Sequence, residues 1–208
     1  MDRELVRRCQ QGDRSAFDEL VRRHYKRAYA LALRMLGNRD DASDAVQQAF
    51  IRAYQGLAGY RGGAAFSTWL YRIVVNVCLD MSRRSKRANA ASLSRSPEEE
   101  APEKELPDDR LGPAEKALQA ARVEAVHKAL QHVQPTYRAV LVMYELQGMS
   151  YEQIAQALGI PVGTVKSRLN RARAAFAQAF QPYLELFDMP AGRKGEPKRS
   201  FVQDEDGQ

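Results

Sequence analysis

Ser150 to Arg173 reads SYEQIAQALGIPVGTVKSRLNRAR, and its spacing specifies two short helices meeting at a tight turn. Ser150 stands three positions before Gln153, the spacing at which each side chain can cap the other's backbone amide. Tyr151, Ile154, Ala155 and Leu158 supply the buried face of the first helix. Gly159 can take the left-handed conformation that ends it, and Pro161 restarts the chain in a geometry ready for a new helix. In the second helix Val165, Leu169, Ala172 and Phe176 fall at i, i+4, i+7 and i+11 and pack inward. Lys166, Ser167, Asn170, Arg171 and Arg173 are thereby turned outward or to the flanks. Arginine can hold a guanine edge with two hydrogen bonds, and asparagine suits adenine. Such a basic face is also what a solvated packing helix shows; the tight turn and short first helix favour the helix-turn-helix that enters a DNA groove.

Outward from this stretch the periodicity stays helical and nowhere alternates at period two, so the chain is expected to be all-α. Upstream, a helical module begins near Pro113, with Val123, Val126, Leu130 and Val133 on one face and Pro135 ending the element. Tyr137 to Leu146 follows as a helix on Val140, Leu141 and Tyr144, stopped at Gln147-Gly148. A first module occupies residues 1–87. Phe17, Leu20, Val21, Tyr25, Ala28, Leu31, Ala32 and Met35 trace the inward face of a long helix from Ala16 to Leu36, with Asp13 and Ser15 as start signals and Gly37-Asn38 as the stop. A second helix spans Asp40 to Tyr54 on Ala42, Ala45, Val46, Ala49, Phe50 and Ala53. A third spans Ser67 to Ser85 on Leu70, Ile73, Val74, Val77 and Met81, after a Gly-rich shaped loop from Gly56 to Ala65.

Between the modules, residues 88–112 combine a Ser-rich stretch, Pro97, Pro102, Pro107 and a run of acids from Glu98 to Asp109. Such a segment cannot bury enough apolar surface to offset about 1 to 2 kcal/mol per residue of backbone ordering. It is expected to be a flexible linker that leaves the modules, 1–87 and 113–187, loosely tethered. Residues 188–208 mix both charge signs without periodicity and are expected to be disordered.

The loop of the first module carries a second constellation. From Tyr60 to Arg72, aromatic residues alternate with arginines and small residues, just ahead of a helix whose far end is Arg83-Arg84-Ser85-Lys86-Arg87. Unstacked bases need flat rings, a pocket shaped by pliable backbone and nearby cations. Phe66, Trp69 and Tyr71 are equally what a packed core uses. Asn76 lies one turn beyond Arg72 and could meet a base edge.

These blocks, in this order, resemble the extracytoplasmic-function class of bacterial sigma factors, and within it the envelope-stress sigma-E group. The resemblance rests on Gly12-Asp13 with Ala16-Phe17 and Leu20, on Asp41 to Phe50, on Phe66 to Asn76 with Asp80 and the basic run, and on Leu146 to Arg173. It implies a sigma-2 domain that grips the beta-prime clamp of core RNA polymerase and opens the promoter −10 element. It implies also a sigma-4 domain that reads the −35 element while resting on the beta flap. The residues so implied for the −35 element are Thr164, Lys166, Ser167, Asn170, Arg171 and Arg173. For the −10 element they are Tyr60, Arg61, Phe66, Thr68, Trp69, Arg72, Asn76, Arg83 and Arg84, with Asp80 as scaffold. For core polymerase they are Asp41, Asp44, Gln47 and Gln48, where the family commonly has Glu in place of Gln48. Members of this kind lack an acidic N-terminal inhibitory region and are held inactive by an anti-sigma factor, typically membrane-anchored, that covers both modules; exposed apolar surface on sigma-4 is expected to accompany it.

Composition agrees and excludes other classes. Among 208 residues, Lys+Arg 32 against Asp+Glu 26 leaves +6, a balance suited to a polyanion. The apolar runs are too short for a membrane span, and the opening Met1-Asp2-Arg3-Glu4 is no secretory signal, so a cytoplasmic chain is expected. Cys9 and Cys78 fit neither a disulfide framework nor a zinc site. His24, His127 and His132 are too scattered for a metal, and His24 sits on an apolar stripe as a packed imidazole. No catalytic residue, metal, cofactor or small-molecule substrate is expected. The competing reading is a helix-turn-helix regulator that binds operator DNA without joining polymerase, but no βαβ pattern or phosphate loop supplies the input domain it would need.

Overall fold

The computed structural model describes residues 2–91 and 112–188; the predicted linker beyond 91 and the predicted tail beyond 188 lie outside the described residues. Among the described residues every regular element is a helix. The first unit comprises α1 (Asp2–Gln10), α2 (Arg14–Leu36), α3 (Arg39–Gly56), a 3-10 turn at Leu57–Gly59, and α4 (Phe66–Ala91). The second comprises α5 (Pro113–His132), α6 (Pro135–Glu145), α7 (Tyr151–Leu158), α8 (Val162–Phe180), a 3-10 turn at Gln181–Tyr183, and α9 (Glu185–Asp188).

Local chemistry sets these limits. Asp13 caps α2, its Oδ1 accepting from the amides of Ser15 at 3.0 Å and Ala16 at 3.3 Å. The Ser15 hydroxyl and the Arg8 guanidinium on the same carboxyl hold it down at about 2. Gly37, at φ 78, closes α2 by donating to Leu33 O at 2.8 Å. Asn38, expected to help stop that helix, instead starts the next one: its Oδ1 accepts from Asp41 N at 2.9 Å. Pro135 is likewise an opening residue, occupying the first turn of α6, where its missing N–H costs nothing. Helix α4 runs past Arg87 to Ala91, into sequence expected to be linker.

Leu20, Leu31, Met35, Val46, Leu70, Val74 and Val77 form the core among α2, α3 and α4. Tyr25 departs from the expected inward stripe and is 44% exposed, because it lines an open groove between α2 and α3. Helix α1 was not legible in the pattern: only Leu5 and Val6 are buried among its charges. It is tied down by Gln10, whose Nε2 donates to Leu57 O at 2.9 Å and Tyr60 O at 3.0 Å. At its other end Asp2 Oδ2 meets His24 Nε2 at 2.8 Å. His24 is 8% exposed, packed as expected beside Phe66 and Tyr71.

In the second unit Val133, Val140, Met143, Ile154, Val165 and Leu169 make the core. The inward face of α5 centres on Ala125, Ala129 and Leu130, and of the predicted stripe Leu130 and Val133 are buried while Val123 and Val126 are only half-buried. The two units are packed together, where loose tethering was expected. Arg138, 5% exposed, donates to its own unit's Gln131 O at 2.8 Å and Val133 O at 3.0 Å, bonds the Gln131 side chain, and reaches Met35 O of α2 at 2.5 Å. Gln131 Nε2 donates to Arg34 O at 3.3 Å. Burial lowers Arg138 to about 10, so it remains charged at neutral pH, at the C-terminal end of α2 where the helix dipole favours a cation.

Candidate nucleic-acid interfaces

The α7–α8 turn is built as its sequence requires. Ser150 Oγ accepts from Gln153 N at 3.2 Å and Gln153 Oε1 accepts from Ser150 N at 2.9 Å, the complete reciprocal cap. Gly159 takes φ 64, and Ile160 N donates back to Ala155 O at 3.0 Å. Pro161 is the cap residue from which α8 begins. Val165, Leu169 and Ala172 are buried, Phe176 is half-buried, and Lys166, Ser167, Asn170, Arg171 and Arg173 are exposed, with Thr164 half-exposed.

These outward groups are not equivalent. Arg173 is held by Glu145, whose Oε1 lies 2.6 Å from Nη2, and it lies over the Tyr144 ring at 5.4 Å. Arg171 Nη1 donates to Tyr137 Oη at 3.1 Å, and Lys166 Nζ sits over the Tyr151 ring at 5.8 Å. Ser167 Oγ donates to Thr164 O at 3.0 Å. Arg173 is therefore paired with a carboxylate, whereas Lys166 and Arg171 are held by neutral partners.

At the first unit's loop, Tyr60 Oη donates to Ala64 O at 2.5 Å and closes the Gly-rich turn, in which Gly62 takes φ 74. Tyr60, Phe66 and Trp69 form a ring cluster with centroids 5.1 to 6.2 Å apart. Phe66, named above as a base contact, is 3% exposed and Tyr71 4%; both are core, and Phe66 supports the cluster from beneath, packed against His24, Tyr60 and Trp69. Trp69, Thr68 and Arg72 are half-exposed, and Arg61, Asn76, Arg83 and Arg84 exposed. Asp80 pairs with Arg83 at 3.3 Å and Arg52 at 3.7 Å, which fits a scaffold carboxylate. The loop opens on a cavity of about 240 Å³ lined by Tyr60, Arg61, Thr68, Trp69 and Arg72 and, from the other unit, by Gln153, Gln156 and Ala157.

Asp41, Asp44 and Gln47 are exposed on α3 and Gln48 is half-exposed. Gln47 also borders a larger groove of about 890 Å³ between α2 and α3, whose floor and walls include Phe17, Tyr25, Phe50, Ile51 and Tyr54. Phe17 and Tyr54 meet edge-on at 4.9 Å, and Tyr25 stacks on Phe50 at 6.4 Å. The reading of the polar stripe missed this apolar companion. Ile51 and Tyr54, 51% and 47% exposed, lie off the buried stripe of α3, and that was the available signal. Among the described residues there is no cluster able to hold a metal ion, and no helix long and apolar enough to cross a membrane.

Residues 20–88 match the family described as Sigma-70 region 2, and residues 123–176 that described as Sigma-70, region 4. The chain is 38% identical to the RNA polymerase sigma-H factor of Pseudomonas aeruginosa over 185 residues, covering 88% of this chain and 95% of that protein. It is 34% identical to the ECF RNA polymerase sigma-E factor of Escherichia coli K12 over 184 residues, covering 88% and 96%. Its structure is similar to that of CnrH in complex with the cytosolic domain of CnrY, with a TM-score of 0.59, 29% identity, and 87% and 97% of the two chains covered. A fold likeness extends to the sigma factor RpoE in complex with the anti-sigma factor NepR from Bartonella quintana, with a TM-score of 0.64, 23% identity, and 79% and 96% covered.

Proposed function

The chain belongs to the extracytoplasmic-function class of RNA polymerase sigma factors, and from that premise we propose how its surfaces divide the work of directing core polymerase to promoters. The regulator that acts outside polymerase is set aside, since relatives matched over 95% and 96% of their length are RNA polymerase sigma factors by name. The exposed face of α8, led by Lys166, Asn170 and Arg171, reads the −35 element from the major groove. The Tyr60 to Trp69 loop with Arg72 and Asn76 receives an unstacked −10 base, while Arg83 and Arg84 follow the phosphates. Asp41, Asp44, Gln47 and Gln48 face the basic clamp surface of core polymerase. The chain makes and breaks no bonds; catalysis belongs to polymerase.

The observation that carries this reading is the pairing, in one chain, of a capped helix-turn-helix presenting a polar cationic face with a closed aromatic loop flanked by arginines. Each surface alone has few cations, so the free chain binds DNA weakly and in a salt-sensitive way, and polymerase converts two weak sites into one avid reader. Leu184 and Phe187, 49% and 40% exposed at the end of the second unit, and Leu146, 45% exposed, supply apolar surface for the flap or for an anti-sigma factor. A membrane-anchored anti-sigma partner accords with a relative captured with the cytosolic domain of its partner, and the chain acts in the cytoplasm.

The test is to add the purified chain to sigma-free core polymerase and map transcript 5′ ends on genomic DNA. A pair of sequence elements shared upstream of the new starts is expected. Absence of a stoichiometric complex with core polymerase would overturn the reading.

A further inference from the structure

We propose that Gln10 is a positioning residue for −10 recognition: from the end of α1 it fixes the backbone of the Tyr60 to Trp69 loop, so that the base-reading rings stand in place before DNA arrives. This rests on the assignment of that loop to the −10 element and adds to it a residue that acts through the loop's own carbonyls.

The loop's sequence would not hold one shape by itself. Gly59, Gly62 and Gly63 fall between Leu57 and Phe66, and Gly62 takes φ 74. Each glycine adds conformations that ordering must remove, and a base entering a loose loop would meet that entropy cost at the moment of binding. A loop ordered beforehand spares it.

Tyr60 is where the order is imposed. Its amide donates to Leu57 O at 3.1 Å, its carbonyl accepts from Gln10 Nε2 at 3.0 Å, and its hydroxyl donates to Ala64 O at 2.5 Å. Gln10 Nε2 also donates to Leu57 O at 2.9 Å. A side-chain amide carries two N–H donors, and both are used here to tie the first residue of the 3-10 turn to the residue that follows its last. Gln10 is itself exposed, so these bonds place the loop without being part of the core.

From Tyr60 the constraint passes to the rings. The Tyr60 ring lies 5.1 Å from that of Trp69 and 6.2 Å from that of Phe66, and Tyr60 and Trp69 both line the 240 Å³ cavity. Gly56 backs the indole: a Cβ there would stand 3.4 Å from Trp69 Cζ2. Helix α1 can serve as a strut because it is anchored along its length. Asp2 Oδ2 meets His24 Nε2 at 2.8 Å, Leu5 and Val6 are buried, and Arg8 pairs at 2.6 Å with Asp13, the cap of α2. The His24 ring lies 5.4 Å from that of Phe66. Both ends of α1 thus engage one aromatic cluster, Gln10 through the Tyr60 backbone and Asp2 through the imidazole against Phe66.

Gln10→Met in the full chain keeps the length of the side chain and removes both donors. Holoenzyme assembled with core polymerase is given two fluorescent single-stranded oligonucleotides, one carrying the non-template −10 sequence of a mapped promoter and one with a −10 base replaced. The ratio of the two affinities measures discrimination. The free chain supplies a second readout, because Trp69 is its sole tryptophan and time-resolved anisotropy reports how freely the ring moves. Gln10→Met is expected to lower the ratio about fivefold by weakening the cognate oligonucleotide alone, to leave −35 preference unchanged, and to enlarge the fast anisotropy decay of Trp69. A ratio equal to that of the wild type overturns the positioning role. Equal weakening of both oligonucleotides and of −35 duplex overturns it too, since loss of folded protein acts on all three alike. A wild type that does not discriminate among −10 bases overturns the −10 assignment itself, and the anisotropy then judges alone whether Gln10 orders the loop.

Discussion

Lys166 and Arg171 stand five positions apart on the same exposed helix, but their chemistry separates them. Lysine is a point charge that meets phosphate, and the Tyr151 ring beneath it steadies the ammonium without neutralising it. Arg171, positioned by the Tyr137 hydroxyl, presents a planar fork suited to a guanine edge. Lys166→Ala is therefore expected to weaken promoter binding evenly across sequences and to lower the salt slope by about 1, whereas Arg171→Ala costs about 1 to 3 kcal/mol and relaxes a single −35 position. Competition binding against promoters with each −35 base replaced, at two salt concentrations, separates the two. Asp13 makes a pH-dependent contribution at the same scale. Its folded value of about 2 lies below the ordinary 3.8, so the stabilisation is present above about pH 4 and is lost as pH falls through 2. In an acid titration followed by helical circular dichroism, Asp13→Ala should differ from wild type at neutral pH and converge with it at the acid limit.

Among the elements, α7 depends most on its ends. It has eight residues, too few to hold together alone, and the reciprocal Ser150–Gln153 cap together with Gly159 delimits it. Ser150→Ala should cost about 1 kcal/mol of stability, read from the urea midpoint at unchanged slope, and should leave promoter preference intact at temperatures where the chain is folded. A change of preference instead would show that Ser150 touches DNA. The caps were legible because they depend on local spacing; α1 was not, because two buried side chains among charges carry no period and its attachment runs through Gln10 to backbone carbonyls some fifty residues away. Tyr25 and Phe66 failed as predictions for a related reason. Periodicity says which residues share a face, but not how far the neighbouring helix covers it, so Tyr25 came out exposed and Phe66 buried.

For the whole molecule, Arg138 is the joint on which both units converge. A buried guanidinium with no carboxylate partner among the described residues is tolerable only because carbonyls of Gln131, Val133 and Met35 accept its hydrogen bonds. Replacing it with Met leaves those acceptors buried without a donor and should cost about 3 kcal/mol in urea denaturation, where an ordinary surface arginine would cost within about 0.5 kcal/mol.

Helical class, two modules in order, the capped turn, the basic outer face of α8 and the aromatic loop were all determined by the amino-acid order, because capping, helical period and glycine conformation act over a few residues. Tertiary structure alone decided that Gln131 and Arg138 seek carbonyls of α2, that Gln153, Gln156 and Ala157 roof the loop of the other unit, and that Ile51 and Tyr54 open a groove beside the polar stripe. These contacts join residues dozens of positions apart through polar groups and partial covers, and no local spacing encodes which surface will be nearest once two helical units have folded.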